Sequence, residues 1–532
     1  MRSPAIWGRF RQLCCRVSEW LWSLDARRAD RIFVIALGVL SAWVALVVAI
    51  NPLSLSGDEA YYWQWSRRLD WAYCEKGPVV AFLIAASTAV LGDNDIGVRF
   101  PALVFSAGLS VAMYLFLRRI SRPALALFGV ALMSSGLFFA TLGIGMTPDP
   151  PMLFFWVLGL WAAYTAVDRK RPAAWVGAGL AFGLAALTKL TAALIPPAYL
   201  LFLLLFADAR TRRLHLRSRW FWAGMTLFLI ALAPMVAWDL AHGGVNLAHN
   251  VGHVVDQAGL HLSARFLPEL LAGQLGLVGP VLLPLLGWLG WRGWRGFREG
   301  NDVPAGLLVS TAVPLSMICL VVACTRSVYA NWPMPIYLHG TVLFAHLATR
   351  TPDLLRRVAF PAGAALLVNG AVLVVSYVVL LAVASGFTFG IPPKRVALEK
   401  MAGWERLGGH VDGLMARTNV SGNAPSFVVA TDYGTASQIA FYDRHHPLVL
   451  CADLGRRLNQ YDIWGGWEGQ RGRDALIVLD SPTVPEGLAR AFERVDPIGP
   501  ELIIEYGGVP VRRWHFFIGK RYDGAVDQPP RR

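Results

Sequence analysis

Ser56-Gly57-Asp58-Glu59-Ala60-Tyr61-Tyr62-Trp63 follows directly on the first membrane-length apolar segment, residues 32–50. Two adjacent carboxylates at the mouth of a span are costly to leave idle beside hydrocarbon, and ionisable groups there commonly mark a substrate or proton site. An ordinary water-exposed loop is the plainer reading of the same residues. The choice turns on whether the rest of the chain brings matching chemistry to the same face.

Apolar residues make up 55% of the chain and charged residues 16%, with a mean hydropathy of +0.47. Long apolar runs recur to about residue 385, the pattern of a polytopic helical membrane protein. A net charge of +14 would point to nucleic acid in a soluble protein. Here much of it sits in short Arg-rich loops between apolar segments, which is a topology signal, so the expected surroundings are membrane lipids and no nucleic acid. Residues 1–31, basic and carrying Trp7, Trp20 and Trp22, are expected to form a cytoplasmic interfacial segment rather than a cleaved leader. The cysteines lack metal-type spacing, and Cys74 and Cys451 are the two expected to face outward.

Eleven segments are expected to span: 32–50, 99–117, 123–143, 151–167, 173–188, 190–206, 220–238, 267–290, 303–324, 334–348 and 358–384. Each is near or a little under the ~20 residues a helix needs to cross. Residues 78–91 are apolar but short, and suit an interfacial helix. With that helix lying flat, the basic loops at 118–122, 168–171, 210–219, 292–298 and 350–357 all share the side of the N-terminus. The opposite side receives the Asp58 loop and the Arg- and Lys-poor loops at 147–150, 239–266 and 325–333. If 78–91 crossed, every later basic loop would break the positive-inside bias. Residues 32–384 thus form the membrane domain. Residues 385–532 alternate short β-branched runs with helical patterns, and are expected to be a small α/β domain on the same outer face as Asp58.

Four outward features can converge: Asp58-Glu59, Tyr73-Cys74-Glu75-Lys76-Gly77-Pro78, Thr147-Pro148-Asp149-Pro150-Pro151, and Leu187-Thr188-Lys189. Carboxylates and lysines on one interface suit the holding of a lipid-linked phosphate while a base activates an attacking hydroxyl. The plainer readings are that Asp149 caps the helix after it, that Lys76 and Lys189 snorkel, and that Trp63, Trp65 and Trp71 anchor the interface.

The order of these motifs resembles the polyprenyl-phosphate-sugar glycosyltransferases of GT-C type, which include protein O-mannosyltransferases and the lipid A aminoarabinose transferase. The resemblance is carried by Gly57-Asp58-Glu59-Ala60-Tyr61-Tyr62-Trp63, Tyr73-Cys74-Glu75-Lys76-Gly77-Pro78, Arg99-Phe100-Pro101, and Thr147-Pro148-Asp149-Pro150 before Leu153-Phe154-Phe155-Trp156. Pro234 to Asp239, Asn331-Trp332-Pro333 and Ala436 to Tyr442 fit the bacterial branch. Gly77 stands where the family often has proline. The resemblance implies Asp58 as catalytic base and Asp149 as a second essential carboxylate. It implies Tyr73 and Lys76 on the donor phosphate, and Glu59, Tyr61, Lys189 and Arg265 among the substrate-binding residues. It also implies a divalent metal, zinc or another, at Glu75 with a histidine of a later outer loop. His261 is taken for that role, with His242, His249 and His253 in the same loop. Two ligands are few for a zinc site. No nucleotide cofactor is expected.

The reading is an inverting glycosyltransferase of the bacterial inner membrane. Its donor would be a polyprenyl-phosphate-linked sugar, and its acceptor an envelope lipid such as lipid A, another glycan or a protein on the periplasmic side. The rival is a transporter or lipid flippase, which would place ionisable residues near the bilayer midplane. A non-catalytic scaffold would have no use for charged residues gathered on one interface.

Overall fold

The computed structural model describes residues 3–50, 54–252, 263, 265–351, 353–385, 387, 401–420, 425–452, 454–455, 457–506 and 509–524. In chain order the helices before the C-terminal region are α1 (Ser3–Trp22), α2 (Ala26–Ile50), α3 (Gly57–Arg67), α4 (Val79–Leu91), α5 (Asp95–Ile120), α6 (Pro123–Ser135), α7 (Leu137–Thr141), α8 (Asp149–Asp168) and α9 (Ala174–Thr188). After a 3-10 turn, Leu190–Leu194, come α10 (Ile195–Leu205), α11 (Ala209–Leu216), α12 (Arg219–Ala241), α13 (Val245–Gly252), α14 (Phe266–Leu277), α15 (Leu282–Gly300), α16 (Val303–Ala323), α17 (Met334–Arg350) and α18 (Leu354–Ala384).

Every segment expected to span falls on helix. By length and composition, α2, α5, α8, α12, α16 and α18 suffice to cross a membrane, and α14 with α15 makes a seventh, bent by 102°. The remaining expected spans are shorter helices: α6 with α7, α9, α10 with its 3-10 turn, and α17. The expected single helix at 267–290 is therefore two. The chain turns at Gly279-Pro280, where Gly279 has φ +110°. A Cβ there would fall 1.9 Å from the Asn369 Oδ1, so only glycine fits the corner.

The chain divides into two compact units, Met1–Leu46 with Pro101–Tyr377 and Val47–Phe100 with Val378–Arg532. In the first, α8, α9 and α12 pack closely. A Cβ on Gly179 would lie 1.9 Å from the Gly224 carbonyl oxygen, and small residues of this kind let helix backbones touch. α8 and α17 run parallel and share a ladder of polar pairs. Asn331, just before α17, donates to Asp149 (2.7 Å), and Trp156 Nε1 donates to His339 Nε2 (2.9 Å). The Tyr164 hydroxyl meets His346 Nδ1 (2.7 Å), and Arg350 donates to Asp168 (2.6 Å).

The second unit joins α3 and α4 to the C-terminal residues: α19 (Trp404–Val420), β1 (Phe427–Ala430), α20 (Tyr433–Tyr442), β2 (Val449–Cys451), α21 (Gln460–Trp464), β3 (Ala475–Leu479), α22 (Glu486–Ala489), β4 (Phe492–Pro497), β5 (Leu502–Tyr506) and β6 (Val509–Tyr522). The sheet order is β2-β1-β3-β6-β4, with β5 on β6. β1 pairs in parallel with β2 and β3, while β6 is antiparallel to its neighbours. α20 is thus the crossover of a βαβ unit, the connection parallel strands require. β1, β2 and β3 are buried throughout, which accounts for their unbroken apolar runs.

One expectation is corrected in this unit. Trp63 and Trp65 are buried, at 2% and 0% exposure, and only Trp71 is exposed. Trp63 packs edge-on to Phe441, and Trp65 stacks on Tyr73. A tryptophan beside a span serves a core as well as an interface, and here a folded domain supplies the core. Cys74 and Cys451, expected on the outer side, are both buried within this unit.

Candidate functional site

Asp58 owes its place to a capping box. Ser56 Oγ accepts from the Glu59 amide (3.3 Å), and the Ser56 amide donates to Glu59 Oε2 (2.9 Å). The two bonds start α3 at Gly57. Asp58 then lies in the first turn, where the unpaired amides of the helix favour negative charge. Its carboxylate is exposed, and Oδ1 accepts from the Tyr433 hydroxyl at 2.8 Å.

Glu75 belongs to the same electrostatic cluster. Removal from water pushes its carboxyl up to about 7; the charge of Asp58 adds to the rise, and Lys76 and Arg457 oppose it. Burial, then the charge of Asp58, then the hydrogen bond to it hold the Tyr433 phenol well above its ordinary range. Asp58, Glu75, Tyr433, Lys76 and Arg457 thus form one group of two carboxyls, a phenol and two cations. Lys76 is half-buried and Arg457 exposed.

Around this group, several residues expected at the substrate hold the fold. Glu59 is 2% exposed. Its Oε1 accepts from Arg99 Nε (2.9 Å) and its Oε2 from Arg99 Nη2 (3.2 Å) as well as from the Ser56 amide. Arg99 also donates to the Ser54 carbonyl (3.0 Å). Tyr61 is fully buried, and its hydroxyl accepts from the Gln460 amide at 2.5 Å. Tyr73 is equally buried; its hydroxyl accepts from the Asp70 amide and donates to the Trp65 and Arg68 carbonyls, each at 3.1 Å.

In the first unit, Asp149 is 5% exposed. Oδ1 receives Lys189 Nζ at 2.8 Å and Oδ2 receives Asn331 Nδ2 at 2.7 Å. It makes no side-chain cap to α8, so capping does not explain it. Nor does Lys189 snorkel: its side chain is 13% exposed and ion-paired. The lysine sits in an extended break (φ −149°, ψ 122°) between α9 and the 3-10 turn, which aims it across to Asp149. Arg265 is exposed before α14, with its guanidinium 5.9 Å from the Phe266 ring centre.

His261 and His253 lie outside the described residues. His242 stacks on Trp238, and its Nδ1 is 2.8 Å from the Trp238 carbonyl. Among the described residues, the group of three or more ligand atoms within 4.8 Å of one another is Asp412, Asp443 and His445, and Glu75 is not part of it. That group is held by its own hydrogen bonds: Asp412 takes His445 Nδ1, and Asp443 takes the His445 amide.

Tyr433, Arg457, Asn331 and Arg99 were not expected as partners. For Asn331 and Arg99 the signal was their place inside quoted motifs. Tyr433 lies three residues before a quoted motif, and only its hydroxyl distinguishes it from a core aromatic. His339 and His346 lie within α17, where the transporter reading would look. Both nitrogens of His339 are engaged, one by Trp156 and the other by the Leu308 carbonyl at 2.8 Å.

Residues 75–238 match the family described as dolichyl-phosphate-mannose-protein mannosyltransferase. The family resemblance is borne out. Lipid A galacturonosyltransferase RgtD of Rhizobium johnstonii is 27% identical over 325 residues, covering 58% of this chain and 64% of that protein. An undecaprenyl phosphate-alpha-4-amino-4-deoxy-L-arabinose arabinosyl transferase of Pseudomonas savastanoi pv. phaseolicola is 30% identical over 225 residues, covering 38% of this chain and 41% of that protein. The matches therefore span 64% and 41% of the length of these curated relatives. ArnT from Cupriavidus metallidurans bound to undecaprenyl phosphate shares the fold, with a TM-score of 0.57 at 16% identity over 93% of this chain and 99% of that one. The polytopic helical architecture with a C-terminal α/β domain is thus of the ArnT type.

Proposed function

We propose that the protein is an inverting glycosyltransferase of the bacterial inner membrane, with its N-terminus cytoplasmic and its C-terminal domain periplasmic. It transfers a sugar from undecaprenyl phosphate or a similar polyprenyl phosphate to a glycolipid of the lipid A class. Similarity to enzymes named for such donors and acceptors supports the substrate class. The observation that carries the chemistry is Asp58: an exposed carboxylate with one oxygen held by Tyr433, whose charge is felt by the Glu75 carboxyl.

In the proposed step the acceptor hydroxyl gives its proton to Asp58 as its oxygen bonds the anomeric carbon. The bond from that carbon to the donor phosphate breaks, its electron pair leaves with polyprenyl phosphate, and the anomeric centre inverts. Lys76 offsets the charge of the leaving phosphate. Asp149 is the second essential carboxylate of the proposal, and it holds Lys189 and Asn331. Glu59 serves by holding Arg99 and the start of α3, and Tyr61 and Tyr73 by packing the loop.

The test is turnover of a radiolabelled polyprenyl-phosphate sugar by purified protein with a lipid A acceptor. Release of polyprenyl phosphate is expected, and a flippase would move the donor intact. Asp58→Asn should fold normally and lose about 10²–10⁴-fold in rate, as removal of a general base does. Near-wild-type turnover by that variant would end the mechanism.

A further inference from the structure

α20 touches the loop that carries Asp58 at four points. The Tyr433 hydroxyl donates to Asp58 Oδ1 (2.8 Å). Gly434 lies against Gly57 so closely that a Cβ on Gly57 would be 3.2 Å from the Gly434 Cα. Gln438 Nε2 donates to the Leu55 carbonyl (2.5 Å), and the Tyr442 hydroxyl accepts from the Leu55 amide (2.7 Å) while donating to Asp95 (2.8 Å). Both backbone groups of Leu55 are therefore bound by side chains of one helix, which takes the place of a strand partner in keeping a buried backbone satisfied. Leu55 itself is fully buried. Three residues further on, the same helix grips the carboxylate.

We propose that Tyr433 is the positioning residue of Asp58, and that α20, a crossover helix of the C-terminal domain, is the element that sets the base for reaction. This rests on Asp58 being the base. The carboxylate is exposed at the first turn of α3, where an aspartate side chain can swing among rotamers. A hydroxyl donated to Oδ1 selects one of them and leaves Oδ2 to take the acceptor proton. Tyr433 is itself immobilised: its ring packs on Tyr61 at 4.6 Å between centres, and Tyr61 is held in turn by Trp65 and Tyr461. The phenol keeps its proton throughout. The charged and titratable groups around the pair are Glu75 and Lys76 on the loop before α4, Arg457 before α21, and Asp432 beside Tyr433.

Tyr433→Phe removes one oxygen and keeps the ring packing. We expect kcat to fall about 10-fold with KM for the donor little changed, as when a general base is misplaced rather than lost. In an Asp58→Asn background the same change should cost nothing further, since Tyr433 acts through Asp58. Equal losses from Tyr433→Phe in both backgrounds, or a loss carried by KM rather than kcat, would overturn the proposal while leaving Asp58 as base. A fully active Asp58→Asn would instead remove the base reading on which it stands. The melting temperature of each variant in detergent confirms that folded protein is compared.

Discussion

Asp149 and Lys189 offer a way to separate holding the fold from doing chemistry. The pair is buried, with side chains 6% and 13% exposed and a separation of 2.8 Å, so the surface-pair discount does not apply. Asp149→Asn sets an amide N–H or a lone carbonyl oxygen against the lysine and leaves a buried cation without its counter-charge. Breaking one side of such a pair costs about 3–5 kcal/mol. Lys189→Met leaves the carboxylate with Asn331 as its remaining donor, at a similar cost. Replacing both by Asn and Met removes both charges, and the double variant should recover to within about 1–2 kcal/mol of the parent, a coupling of ~3 kcal/mol or more. The assay is denaturant unfolding in detergent beside turnover per folded molecule. Stability should return in the double variant and turnover should not. Full turnover in the stable double variant would show that Asp149 serves the fold alone. A single Asp149→Asn variant of unchanged stability would refute the buried pair.

Glu59→Gln should destabilise the protein by about 3 kcal/mol, because it removes the nearer of the two carboxylates, Glu59 and Asp95, that pair with buried Arg99; its residual turnover per folded molecule should exceed that of Asp58→Asn, and the reverse order would assign Glu59 to the chemistry. Glu75 holds its proton more tightly when folded, its carboxyl lying at about 7 against an unfolded value of ~4.3. In chelator-treated protein its contribution should therefore be fully present below pH ~4.3 and fall as pH rises through about 7; Glu75→Gln should flatten that part of the stability profile, and an unchanged slope would exclude Glu75 as its source. Cys74 and Cys451 are buried and Cys324 is exposed, so a membrane-impermeant maleimide added outside intact spheroplasts should label Cys324 alone until the protein is denatured; labelling of Cys324 only after lysis would invert the proposed orientation.

The long spanning helices were legible from their apolar runs, and α2, α5 and α16 need no partner to be recognised. The corner at Gly279-Pro280 was not, since the apolar run continues through it and hydropathy cannot see a backbone turn. Asp58, Glu75, Asp149 and Lys189 stood out as charges at the ends of apolar segments. Their partners did not. The Tyr433–Asp58 contact joins residues 375 apart in sequence and the Asn331–Asp149 contact residues 182 apart, and such pairings exist only once helices have packed. The misreading of Trp63 and Trp65 has the same origin: aromatic composition is alike in a lipid interface and in a domain core, and burial by Phe441 and Tyr73 decides between them.

The polar ladder between α8 and α17 is nearly self-similar along its length. Slide α17 by about eight residues, ~12 Å of axial travel, and His339 comes opposite Asp149 while His346 comes opposite Trp156. Both new pairings could hydrogen-bond, so the middle of the seam cannot by itself tell one alignment from the other. The far end can. In the shifted alignment Tyr164 and Asp168 would lie beyond Arg350, where α17 ends, stranding a phenol and a carboxylate whose partners had been His346 and Arg350. The Arg350–Asp168 link, a whole helix length from Asp149, thus acts as the index mark of a graduated scale: it is the asymmetric tooth that lets an otherwise repetitive seam close in one position and deliver Asn331, rather than a histidine, to Asp149.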